Sequence, residues 1–157
     1  MKYGIYISNF ALRGDPNKFL ELAVAAEDAG WDGFFMWDHN YAGKDELIAD
    51  PWITLAAIAA RTKKIRIGTT VTPLPRRRPE KVAREVATLD ILSNGRFILG
   101  VGLGGSSDND YRSFGEDIDL KTRAEKLEES LTILEGLWSG QPFSFSGKHY
   151  TIHEVTF

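Results

Sequence analysis

Four short β-prone runs alternate with four segments of helical periodicity along the 157 residues, and this order constrains the fold more than any single motif. The runs are Tyr3–Ser8, Gly33–Trp37, Ile65–Val71 and Phe97–Val101. A strand that returns beside its predecessor after a helix pairs parallel to it through a right-handed crossover. Two α/β architectures satisfy that rule: an open doubly wound sheet and part of a barrel. Both place ligands at the C-terminal ends of the strands. Those ends are Ser8-Asn9-Phe10, Asp38-His39-Asn40, Thr69–Thr72 and Gly102–Ser107.

The helix boundaries have local causes. Asp15-Pro16 and Asp50-Pro51 each set a capping carboxylate before a proline at the first helical position. Phe19, Leu20, Ala23 and Val24 then form one apolar stripe, and Gly30 ends it where a left-handed residue costs least. Trp52, Leu55, Ala56, Ile58 and Ala59 line the second helix, and Lys63-Lys64 suits the negative end of its dipole. Gly33–Trp37 is apolar on both faces, as a strand buried between layers must be. Thr72–Pro79 carries three prolines and reads as irregular. Pro79 opens a third helix to about Leu92, with Val82, Val86 and Leu89 inward, and Ser93-Asn94-Gly95 reads as a turn. Residues 106–119 read as polar and irregular. A fourth helix from about Lys121 to Trp138 carries Leu127, Leu131, Leu134, Leu137 and Trp138 at helical spacing. Phe143–Ile152 alternates about Ser146-Gly147, the pattern of a β-hairpin. One domain over 1–157 is therefore expected, with four βα units in 1–140 and a hairpin and tail in 141–157.

Composition removes several function classes. With 43% apolar residues the chain can bury a core, which excludes disorder. Nineteen Lys and Arg against 22 Asp and Glu give no global argument for nucleic acid or an anionic membrane. The absence of cysteine excludes a disulfide framework, thiolate metal sites and a cysteine nucleophile. No apolar run approaches the ~20 residues of a membrane span. The N-terminus reads straight into a strand without a signal-peptide pattern, so a cytoplasmic protein is expected.

Chemistry is expected at the strand ends. His39, after Asp38, can serve as a general acid or base near neutral pH or bond a cofactor ring, and it reads equally well as a plain loop histidine. Gly100, Gly102, Gly104 and Gly105 permit close backbone approach to a ring or phosphate. A polar loop rather than a helix follows them, which disfavours a dinucleotide fingerprint. Thr69-Thr70-Val71 offers either an ordinary β-prone strand or a wall and hydroxyl source for a planar cofactor. Arg76-Arg77-Arg78 reads as a solvated loop before it reads as an anion site. His149 and His153, with Glu154 beside them, fall in the hairpin, and no metal site is expected there.

Taken in order, several segments resemble one family. They are Ala25–Phe35 (AAEDAGWDGFF), Trp37-Asp38-His39, Asp50-Pro51-Trp52, Leu55–Thr62, Ile65–Thr69, Val71–Pro79 (VTPLPRRRP), Ala87–Asp90, Leu92–Arg96, Leu99–Gly102 and Leu137–Gly140. Together they resemble the luciferase-like flavin-dependent oxidoreductases, which include bacterial luciferase, FMN-dependent monooxygenases and enzymes of the deazaflavin F420. The resemblance implies a (β/α)8 barrel with FMN or F420 at its C-terminal face, a small-molecule substrate, and oxidoreductase or monooxygenase activity. It implies His39 and Asp38 as catalytic residues, and Ser8, Thr69, Thr70, Val71, Gly102, Gly104 and Gly105 as cofactor contacts. It also implies a non-prolyl cis peptide at Thr70-Val71. Gly102 stands where bacterial luciferase has a reactive cysteine, and Gly105 where F420-dependent sugar dehydrogenases carry a glutamate. Both departures, with the lack of a tryptophan soon after His39, point away from those two specificities.

A barrel of this kind needs ~250 residues. The chain therefore matches an N-terminal half: four βα units plus a hairpin. Open strand edges and apolar inner faces lead to the expectation of a homo-oligomer, most simply a homodimer. The alternative to a flavin enzyme is a catalytically inactive half-barrel that self-associates, with weak or no flavin binding.

Overall fold

The computed structural model describes residues 1–105 and 109–157. Strands β1 (Gly4–Ile7), β2 (Gly33–Met36), β3 (Arg66–Pro73) and β4 (Phe97–Gly102) form one sheet in that spatial order. β1 runs parallel to β2 from Gly4 opposite Gly33 to Ile7 opposite Met36. β2 runs parallel to β3 from Gly33 opposite Arg66 to Met36 opposite Thr69. Helices α1 (Pro16–Asp28), α2 (Pro51–Arg61) and α3 (Pro79–Ser93) make the crossovers. The single turn α4 (Asn109–Arg112) precedes α5 (Leu120–Trp138), and β5 (Phe143–Ser146) pairs antiparallel with β6 (Thr151–Val155). Among the described residues no helix is long and apolar enough to cross a membrane.

The helix starts follow the expected chemistry. Asp15 accepts a hydrogen bond from Asn17 N at 3.0 Å, and Asp50 accepts one from Ile53 N at 2.8 Å. Each supplies an acceptor to an amide that the helix leaves unpaired. Asn94 and Gly95 take positive φ at the end of α3, as the predicted turn requires.

Three details differ from the sequence reading. β3 continues to Pro73, and Leu74–Arg76 is a 3₁₀ turn. Pro73 ends the strand, where no ladder donor is needed, and Pro75 sits in the first residues of the turn, where its missing N–H costs nothing. Within the expected irregular stretch, Asn109–Arg112 forms a helical turn; residues 106–108 lie outside the described residues. The buried side of α5 is Arg123, Ser130, Ile133, Leu134 and Leu137, whereas Leu131 and Trp138 are exposed. Two polar side chains belong to that buried side, so a count of apolar positions alone displaces it.

The chain divides into two compact units. The first comprises Met1–Thr72 and Thr88–Val101. Phe19, Phe34, Met36, Leu55, Ile58 and Ile67 are fully buried in it. Below the sheet, the Glu27 carboxylate accepts main-chain hydrogen bonds from Lys63, Lys64 and Ile65. Arg96 donates five hydrogen bonds, to the carbonyls of Ala59, Thr62, Ile65 and Ser93 and to the Thr62 hydroxyl. Burial works against ionisation of Glu27, but these amide donors and Arg96 outweigh it and hold its pKa below the usual range.

The second unit comprises Pro73–Ala87 and Gly102–Phe157. Leu74, Tyr111, Ile133, Leu134 and Leu137 are buried in it, and Trp138 Nε1 donates to the Ala83 carbonyl at 3.2 Å. Here Glu129 on α5 accepts from the main-chain N–H groups of Lys148, His149 and Tyr150, which fixes the hairpin turn to the helix.

Candidate functional site

β1, β2 and β3 run parallel, so their C-terminal ends lie side by side in the first unit. Ser8, Asp38, His39, Thr69, Thr70 and Val71 all follow or close these strands. Gly104 and Gly105 belong to the second unit, as does Gly102 at the end of β4.

His39 is held by Asn9, a strand-end residue to which the sequence reading gives no role. Asn9 is fully buried. Its amide nitrogen donates to the carbonyls of His39 at 2.8 Å and Ala49 at 2.9 Å. Its side-chain oxygen accepts from His39 N at 3.3 Å, and its main-chain carbonyl accepts from Ala49 N at 2.9 Å. One side chain thus ties the β1 end to the loop after β2 and to the residue before the α2 cap. The only sequence signal was an amide residue at a strand end, and that alone does not distinguish a loop tether from a turn residue.

The His39 ring packs beside Phe10 and Trp37, with centroids 5.9 and 5.5 Å away. Trp37 in turn contacts Phe10 at 5.8 Å and Tyr6 at 5.5 Å. Aromatic packing of this kind limits rotation of the imidazole. Asp38 is buried and accepts a hydrogen bond from Trp52 Nε1 at 3.0 Å. Its carboxylate therefore anchors the strand end to the first turn of α2. Ser8 is half-buried, and its carbonyl accepts from Ala11 N.

The three β3 residues have different environments. Thr69 is fully buried, and its hydroxyl donates to the Gly100 carbonyl at 3.3 Å and accepts from Thr72 Oγ1 at 2.9 Å. That hydroxyl is spent inside the sheet. The Thr70 hydroxyl is buried without a hydrogen-bond partner among the described residues. Val71 is 40% exposed, and the Thr70–Val71 peptide bond is cis. Close strand approach explains two glycines: a Cβ on Gly100 would lie 2.3 Å from the Thr69 carbonyl oxygen, and one on Gly68 would lie 2.1 Å from that of Ile98. An orphaned hydroxyl beside an exposed valine at the end of a glycine-narrowed strand pair fits the edge of a planar, acceptor-bearing ring.

In the second unit Gly104 has φ +80°, and a Cβ there would press on Pro73 and Tyr111 at 3.1 Å. The positive φ favours glycine there whatever the space. Gly102 is half-buried and Gly105 exposed. Arg76 and Arg77 are half-buried rather than solvated, and Arg78 is exposed and paired with Glu80 at 3.0 Å. His149 Nε2 lies 2.9 Å from Glu125 Oε2, and Lys148 Nζ lies 2.7 Å from the same oxygen. Those contacts belong to the hairpin anchor. His153 and Glu154 are exposed on β6.

A sequence model of the family described as luciferase-like monooxygenase matches residues 1–157. An F420-dependent glucose-6-phosphate dehydrogenase of Amycolatopsis mediterranei (strain U-32) is 37% identical over 140 residues, which is 87% of this chain and 42% of that protein. An F420-dependent secondary alcohol dehydrogenase, solved with an F420–acetone adduct, superposes with a TM-score of 0.86 at 30% identity, covering 98% of this chain and 47% of the other. The oxygenating constituent of 3,6-diketocamphane monooxygenase from the CAM plasmid of Pseudomonas putida, solved with FMN, gives 0.81 at 26% identity over 97% of this chain and 44% of the other. The chain thus spans less than half the length of each of these proteins.

Proposed function

The chain belongs to the luciferase-like monooxygenase family, and from that premise we propose that it is an oxidoreductase that binds the deazaflavin F420 at the C-terminal ends of its strands and acts on a small-molecule substrate. The observation that carries this reading is the Asn9-tethered His39 on strand ends shared with the partnerless Thr70 hydroxyl and exposed Val71. F420 is favoured over FMN because the relatives at 37% and 30% identity are F420 enzymes, while the FMN enzyme stands at 26%. FMN with monooxygenase activity is the second reading, supported by that FMN complex. Glucose-6-phosphate is not proposed as the substrate, because the family resemblance implies a glutamate in the sugar dehydrogenases at the position that Gly105 holds here.

When bound, the cofactor supplies hydride transfer, the chemistry that amino-acid side chains lack. The chain's own residues supply placement and proton handling. Val71 and the Thr70–Val71 backbone would hold the cofactor, and the Thr70 hydroxyl, which has no partner among the described residues, would donate to it. His39, held by Asn9 and flanked by Phe10 and Trp37, presents a ring nitrogen to a substrate oxygen and takes or gives its proton. Asp38 keeps the strand end in place through Trp52.

Fluorescence titration tests the reading: F420 and FMN are added separately to the protein while its melting temperature is followed. Saturable F420 binding with a raised melting temperature is expected. Saturation by FMN alone transfers the assignment to the second reading. Binding of neither rejects both in favour of a self-associating fold without a cofactor.

A further inference from the structure

The turn that ends α3 carries a reactive pair with no role in the reading above. Asn94 takes φ +55° and Gly95 φ +75°. Left-handed backbone at two successive positions selects asparagine and glycine, which adopt it with the least strain. Helix termination thus places the chain's one Asn-Gly sequence here. Both residues are exposed, and a Cβ on Gly95 would meet nothing within 4 Å. The Asn94 side chain makes no hydrogen bond among the described residues.

The backbone on either side of the pair is engaged. Asn94 N donates to the Ile91 carbonyl at 3.0 Å, and Gly95 N donates to the Asp90 carbonyl at 2.9 Å. Ser93 is fully buried; its hydroxyl donates to the same Asp90 carbonyl at 3.1 Å and accepts from Arg96 N at 3.3 Å. Arg96 Nε closes the turn onto the Ser93 carbonyl at 2.7 Å, while its Nη1 and Nη2 reach Ala59, Thr62 and Ile65. The Arg96 carbonyl accepts from Ile67 N on β3 at 3.2 Å. The length of backbone between Ser93 and Arg96 therefore decides whether one guanidinium can span all these acceptors.

We propose that Asn94 is a site of spontaneous deamidation and that its conversion loosens Arg96. The Gly95 nitrogen, once deprotonated, attacks the Asn94 side-chain carbonyl carbon. The carbon–nitrogen bond of the side-chain amide breaks, ammonia leaves with the proton, and a cyclic imide remains. Glycine has no side chain to hinder the attack. Water then opens the imide at either carbonyl, and nothing is oxidised or reduced. Opening at the side-chain carbonyl gives aspartate, a negative charge at the C-terminal end of α3 where the helix dipole disfavours it. Opening at the main-chain carbonyl gives isoaspartate, whose backbone is one carbon longer between the two residues that clasp the turn. The attack requires the Gly95 N–H to leave the Asp90 carbonyl, so opening of the turn paces the reaction. The site lies in the first unit at the end of the strands opposite His39, and it involves no cofactor.

The folded protein is incubated at neutral and at mildly alkaline pH, and peptide mapping by mass spectrometry with isoaspartate detection follows each asparagine. Conversion at Asn94 is expected to exceed that at the exposed Asn17 and Asn40 at least tenfold, to speed with pH, and to speed at least tenfold in urea, where the turn is open. In the converted protein, amide exchange at Arg96 and Ile67 is expected to speed at least threefold and the melting temperature to fall. Asn94→Gly keeps a residue suited to positive φ and removes the side-chain carbonyl; its exchange rates and melting temperature are expected to hold through the same incubation. Conversion at Asn94 no faster than at Asn17 and Asn40 overturns the proposal. Conversion at equal rates with and without urea overturns the pacing by the turn. Conversion that leaves exchange at Arg96 and Ile67 unchanged overturns the link to Arg96, as does an equal loss of protection in incubated Asn94→Gly.

Discussion

Asn9 shows how much one buried amide can organise. It makes three side-chain hydrogen bonds to two loop segments and is fully enclosed. Asn9→Ala leaves two carbonyls and one amide without that partner, so a loss of at least about 3 kcal/mol is expected by urea denaturation, from about 1–3 kcal/mol for each of the three groups stranded. Arg96 is the counterpart at the other end of the strands. Arg96→Lys retains the charge but cannot span the five acceptors, and a loss of about 2–4 kcal/mol is expected in the same measurement. Asn9→Ala is expected to disturb the backbone resonances of His39 and Arg96→Lys to leave them in place. At His39 itself the expected effect is chemical. In a preparation that turns over, His39→Ala lowers kcat on the order of 10²-fold or more while the melting temperature stays near that of the unsubstituted protein. Unchanged turnover would remove His39 from proton transfer.

At the scale of elements, the hairpin is tied to α5 by carboxylates. Lys148 and then His149 bond Glu125 and depress its pKa to about 2 from an ordinary 4.5. Around Glu129, burial pushes the other way, but the amide donors of His149, Lys148 and Tyr150 prevail and lower it too. A carboxylate depressed by folding contributes its stability above its unfolded pKa and loses it as pH falls through its folded one. Amide protection in β5 and β6 is therefore expected to hold above about pH 4.5 and to weaken as pH falls towards 2. Glu125→Gln should narrow that dependence, leaving the part due to Glu129. Acid-independent protection in the unsubstituted protein would contradict the anchor. The elements themselves were largely legible: Asp-Pro pairs marked two helix starts, Asn94-Gly95 marked one stop, and doubly apolar Gly33–Met36 marked a buried strand. Long-range polar contacts were not legible. Nothing local in the sequence says that Asn9 meets residues 30 and 40 positions away, or that Arg123 is buried against the loop carbonyls 18 to 20 positions before it. Such residues read as surface because their compensation comes from main-chain groups brought together only by the fold.

For the molecule as a whole, β1 and β4 are the two ends of the four-stranded sheet, and Tyr3, Tyr6 and Ile98 expose 61%, 61% and 37% of their surfaces. Open strand edges beside exposed large side chains favour association, and we propose a second copy of this chain as the partner. Light scattering coupled to size exclusion at micromolar concentration is expected to give twice the 17.6 kDa chain mass, and a stable folded monomer would reject it. The location of the cofactor is the central claim and has a direct measurement: amide chemical-shift mapping during an F420 titration. Shifts concentrated at Ser8, His39 and Thr69–Val71 are the predicted result. Shifts concentrated instead at the N-terminal ends of the strands, around Tyr3, Gly33 and Arg66, or no shifts at saturating F420 and FMN, would contradict it.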